Sequence, residues 1–155
     1  MKTLRTRISL TLLTLSFVLS SCGAFKTAVF DQYSYQQAIS LKIESKALLN
    51  KAVEPYTDHE QEVEDLKKEV EKMIEYEKNK ENNNFTYKMW EVLADEDKNL
   101  LAGLLKRWKD QGQLSQVFVD QASPQVMEAF DLLIKYEGQK DKEGESGILN
   151  FLNNN

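Results

Sequence analysis

Ala38, Leu41, Ser45, Leu48 and Ala52 follow one another at alternating steps of three and four residues, with Ile39 and Leu49 beside them. An α-helix turns once in about 3.6 residues, so these positions form one stripe that must be covered by a partner helix. Val63, Leu66, Val70 and Met73 repeat the pattern against a densely charged opposite face. Little interrupts it, because 155 residues contain two prolines and six glycines. Helix formers dominate the rest. These features predict an all-α fold, a small antiparallel bundle of four to five helices in one domain. The 41% hydrophobic and 29% charged composition is that of a folded chain rather than a disordered one.

The first helix is expected over 31–53, stopped by Pro55. Thr57-Asp58-His59-Glu60 matches a capping box that would open a second helix over 58–80, ending in the polar run 79–84. A third helical stretch spans 85–111 with a break near Ala94-Asp95, where an acidic cluster could cap a fresh start, and Gly112 closes it. A short helix over 114–121 is expected next. Ser123-Pro124 would then open a last helix, to Tyr136, in the cap-then-proline order. The helical domain is thus 31–138, and residues 139–155 read as a loose, disordered tail.

The start of the chain follows different rules. Lys2, Arg5 and Arg7 precede a run from Ile8 to Leu19 of apolar and hydroxyl residues. A cationic start before a short apolar run is the pattern of an export signal. Twelve helical residues rise about 18 Å against a hydrocarbon core of about 30 Å, too short for a stable span. The run ends in Leu19-Ser20-Ser21-Cys22, which resembles the lipobox of bacterial lipoproteins. The resemblance covers these first 22 residues. It implies that the Cys22 thiol takes a diacylglycerol, that the Ser21–Cys22 bond is cut so that 1–21 is removed, and that the new amino terminus is acylated. Gly23, rather than aspartate, follows the cysteine, which resembles sorting to the outer rather than the inner membrane. A short tether, 22–30, would hold the domain near the bilayer, facing the periplasm or the cell surface. Phe25, Phe30, Tyr33 and Tyr35 crowd around it; their helical spacing favours the core over the headgroup region.

Chemistry is harder to find. Cys22 is the only cysteine, so an intrachain disulfide or thiolate cluster is excluded. Without Lys2, Arg5 and Arg7, 17 basic side chains face 25 acidic ones, a charge near −8 that argues against nucleic acid or anionic lipid as a partner for the domain surface. His59 is the only histidine and would need several more ligands for a metal site. Asp95-Glu96-Asp97-Lys98-Asn99 begins like a calcium loop, but Leu100 stands where glycine is needed and Lys106 where glutamate is needed. Asn84-Phe85-Thr86 fits a glycosylation sequon by chance. No nucleophile elbow or phosphate-binding loop is present. The expectation is therefore a non-enzymatic, cofactor-free and metal-free lipoprotein. It would be held by membrane lipid through acylated Cys22 and act as an interaction module for another envelope protein. The alternatives are a small-ligand carrier with a cavity near Trp90 and Trp108, and a phage-exclusion or immunity lipoprotein.

Overall fold

The computed structural model describes residues 28–154. The export signal, the Ser21–Cys22 bond, Cys22 itself, Gly23 and Phe25 lie outside the described residues. Within them are six α-helices and no strand: α1 Gln32–Asn50, α2 Glu60–Lys78, α3 Asn84–Ala94, α4 Leu101–Gln111, α5 Gln116–Gln139 and α6 Lys142–Asn154. Helices α1 and α3 each pack against both α2 and α5, which closes an up-down-up-down ring of four. α4 is a short piece in the crossover from α3 to α5, and α6 folds back against α5 and α3.

The α1 and α2 stripes meet the core as their spacing requires. Ala38, Leu41, Ser45, Leu48, Val63, Leu66, Val70 and Met73 are all buried. Across the ring, Trp90 of α3 meets Phe130 of α5 edge to face, centroids 6.0 Å apart. Such a pair adds about 0.5–1.5 kcal/mol to its area burial. Asp31 caps α1 by accepting the Tyr33 amide at 2.9 Å. Gly112 ends α4 at φ +74°, a left-handed conformation where a side chain would be strained.

Four expectations are corrected. Thr57 does not cap α2. The Tyr56 amide bonds the Gly112 carbonyl at 2.7 Å and the Tyr56 ring lies edge-on to Trp108, so Tyr56–Asp58 winds into a 3-10 turn. The helix then starts after His59. The acidic run at Asp95 likewise opens no helix: Asp95 accepts the Asp97 amide within a turn, and α4 begins only at Leu101.

Ser123-Pro124 does not open a helix. Ser115 is the cap, accepting the Phe118 amide at 3.2 Å, and α5 runs unbroken through Pro124. An interior proline loses one backbone bond and crowds the preceding turn, at about 3 kcal/mol. Continuous burial of Val119, Val126, Ala129, Phe130 and Leu133 on one face offsets that cost. Pro124→Ala is accordingly expected to raise stability by about 1–2 kcal/mol, after a smaller loss from the freer unfolded chain. Urea unfolding checks the sign, and destabilisation would mean that the proline favours the native backbone.

The segment after Lys140 is a helix, not a loose tail. Asp141 accepts the Gly144 amide at 2.8 Å and caps α6, which buries Ile148 and Phe151. Gly144 permits the close approach, since a Cβ there would stand 3.0 Å from Tyr136 Cδ2.

Candidate functional site

Two stripes carry a charge where an apolar residue is due. Glu77 follows Met73 by four on α2, and Glu137 follows Leu133 by four on α5. Both are buried, so each carboxylate must be met by polar partners or lose heavily to desolvation. The start of α1, the end of α2, the start of α3 and the end of α5 converge here and supply them. Glu77 accepts from Ser34 Oγ and Asn83 Nδ2, and pairs with Lys80 at 2.9 Å. Glu137 accepts from Thr86 Oγ1 and pairs with Lys140, while its Oε2 has no hydrogen-bond partner. Lys140 also donates to Asn83 Oδ1 at 3.3 Å and Thr86 Oγ1 at 3.1 Å, linking the two halves. Burial holds the Lys140 ammonium below the usual lysine range, partly countered by Glu137. Its backbone sits at φ +48°, and Asn82 at φ +57°. Two non-glycine left-handed residues beside one polar cluster mark a place where side-chain bonding overrides backbone preference. The cluster is a latch across the N-terminal end of the bundle. The sequence signal for it was a charge on an apolar stripe, which the stripe reading passed over.

The latch extends outward to the surface. Lys80 pairs with Asp31 at 3.1 Å, and Tyr76 OH donates to the same carboxylate at 2.8 Å. Burial raises the Asp31 pKa, but the bonds from Tyr76, Lys80 and the Tyr33 amide outweigh it and bring it to about 2. Around this pair Val29 is 84% exposed, Phe30 53%, Tyr33 45% and Tyr76 40%. Tyr33 and Tyr76 rings lie 4.8 Å apart, and Phe30 lies 6.1 Å from Tyr35, which is half-buried. The expected core placement of Phe30 and Tyr33 is thus corrected: Phe30 lies exposed ahead of α1, and α1 turns Tyr33 outward because Ser34 and Ala38 face the core.

At the opposite end, His59 Nδ1 is 2.9 Å from Glu62 and Nε2 2.7 Å from Glu54, with the ring tilted 5.6 Å from Trp108. The bonds to Glu62 and Glu54 raise the His59 pKa above its ordinary 6.5. A raised folded pKa stabilises most below about pH 6.5, and that contribution is lost as pH rises through the folded value. The melting temperature should therefore fall across that window, and less so in His59→Gln. A pH-melting curve of identical shape in the two proteins would contradict it.

Among the described residues no group of three or more His, Cys, Asp or Glu is placed to hold a metal ion. Glu96, from the calcium-like run, pairs with Lys67 at 2.8 Å. Asn84 opens α3, and the Thr86 hydroxyl is spent on Glu137. Trp90 and Trp108 are both buried, and the Trp108 indole donates to the Glu54 carbonyl at 2.9 Å. A groove of about 110 Å³ lies between α2, α3 and α4, walled by Leu66, Val70, Leu93, Leu101 and Leu105 rather than by either tryptophan. No described helix is long and apolar enough to cross a membrane.

Comparison with protein-family models, with curated proteins and with solved structures finds no match to this chain.

Proposed function

We propose that this chain is a bacterial envelope lipoprotein whose helical bundle is a non-catalytic interaction module, held on the membrane by lipid on Cys22. The observation that carries the reading is Leu19-Ser20-Ser21-Cys22 at the end of a cationic and then apolar segment. Gly23 favours the outer membrane. The bundle supports the module half of the reading: the polar residues that the core does hold bond mainly to one another as a latch, and most charged side chains lie on solvated helix faces. A surface near −8 selects a protein partner over nucleic acid.

The partner is tested by crosslinking intact cells and purifying the acylated chain. One envelope protein should be recovered reproducibly, crosslinked to a defined face of the bundle. Acylated protein recovered repeatedly with no crosslinked neighbour would leave the anchor and remove the interaction module.

A further inference from the structure

We infer that the N-terminal end of the bundle is a membrane-contacting surface, with Val29, Phe30, Tyr33 and Tyr76 seated in the headgroup region of the leaflet that holds the Cys22 lipid. The inference rests on the lipoprotein reading and adds a contact made by the folded domain itself.

Three observations converge. Among the described residues, the exposed aromatic rings are Phe30, Tyr33 and Tyr76, and all three lie at this one end with Val29 beside them. A ring with a polar tip suits the boundary between acyl chains and water, where tyrosine concentrates in membrane proteins. Reach comes second. Six residue steps separate Cys22 from Ala28, where the described residues begin. A chain spans at most about 3.6 Å per residue, so the Ala28 Cα stays within about 22 Å of the Cα of lipidated Cys22. The far end of α1 lies a further helix length of about 28 Å away. The aromatic end is therefore the part of the bundle that the tether confines to the surface.

Charge is the third. Of the carboxylates at the patch, Asp31 is paired with Lys80 and Glu75, which lines a hollow with Tyr76 and Lys80, is paired with Lys78 at 3.8 Å; Lys72 near Tyr33 is paired with Glu69. The patch presents apolar rings over neutralised pairs, whereas the rest of the acidic surface has no attraction for anionic lipid. The two tyrosine rings are also held in place before contact: Tyr76 bonds Asp31, Tyr33 lies 4.8 Å from the Tyr76 ring, and Asp31 is tied through Lys80 to buried Glu77. Little ordering entropy is left to lose on docking. Seated this way, the bundle directs its Tyr56, His59 and Trp108 end away from the bilayer, where another protein can reach it.

The test uses the full chain, purified with its lipid and reconstituted into phosphatidylethanolamine–phosphatidylglycerol vesicles containing a phospholipid with a photoactivatable headgroup. Peptide mass mapping after illumination reads both the acyl group on Cys22 and the lipid adducts. Adducts should concentrate on the peptides carrying Val29, Phe30, Tyr33 and Tyr76. The double variant Phe30→Ser, Tyr33→Ser should lose them to the level of far-end peptides while keeping acylated Cys22 and the same circular dichroism. Phe30→Ser alone changes an exposed ring and should show a partial loss. Acylated Cys22 with adducts confined to residues before Ala28 would overturn the inference and leave the lipoprotein reading intact. Protein–protein adducts through these rings in place of lipid adducts would overturn it in favour of a second copy or another protein. Unmodified Cys22 would overturn both readings.

Discussion

Lys140→Met is expected to cost about 3–5 kcal/mol of folding stability, far more than removal of an exposed lysine. The Lys140 side chain is 6% exposed and pairs with Glu137, which is 1% exposed at the side chain. Removing the ammonium leaves a carboxylate in the core with one hydroxyl donor, Thr86, and strips Asn83 of a contact. Methionine is of similar length and meets the same left-handed backbone, so the change isolates the charge and its hydrogen bonds. Against a total stability of about 5–15 kcal/mol, the loss would populate the unfolded state markedly. Adding Glu137→Leu should recover a large part of it, because an apolar pair avoids desolvating two charges. Urea unfolding of the two single variants and the double gives the coupling. A loss under about 1 kcal/mol in Lys140→Met, the range of exposed pairs, would mean that water reaches the cluster and that it is no latch.

Cys22→Ala is expected to have the largest effect on location. Cys22 is the chain's only thiol, so lipid bound through sulfur can be nowhere else and the substitution removes every such site. The variant should incorporate no labelled fatty acid and should keep residues 1–21, because in lipoproteins cleavage follows lipidation. Each buried methylene contributes about 0.8 kcal/mol of membrane affinity, so two or three acyl chains make a practically permanent anchor and their loss is complete rather than graded. The bundle core contains no cysteine, so its melting temperature should stay within about 1 °C of the parent. Normal fatty-acid labelling of the variant would end the lipobox reading.

The parts of the fold legible from sequence were those set by local periodicity. The stripes from Ala38 to Ala52 and from Val63 to Met73, the stop before Pro55, the break after Ala94 and the cap at Gly112 all lie where spacing and backbone chemistry put them. The misplaced features are those decided by distant contacts. Thr57 has the right neighbours for a capping box, but the Tyr56 amide is claimed by Gly112, remote in sequence. Pro124 carries a strong local signal for a helix start, outweighed by a buried face that runs through it. Residues 142–154 offer few apolar side chains, and α6 forms because α5 and α3 provide the surface that covers Ile148 and Phe151. The latch was hidden for a related reason. Glu77 and Glu137 look like two more solvated carboxylates among 25 acidic residues until Asn83, Thr86 and Lys140 are brought beside them. Phe30 and Tyr33 share the helical period of a core, yet Ser34, not an aromatic, takes the inward position on α1.

The central claim is the lipid on Cys22, and it is tested most directly by the mass of the N-terminal peptide of the protein taken from cell membranes. The account predicts a peptide beginning at Cys22, heavier than its sequence by a thioether-linked diacylglycerol together with the acyl chain on its amino terminus. An amino terminus at any other residue, or a Cys22 with a free thiol, would contradict it.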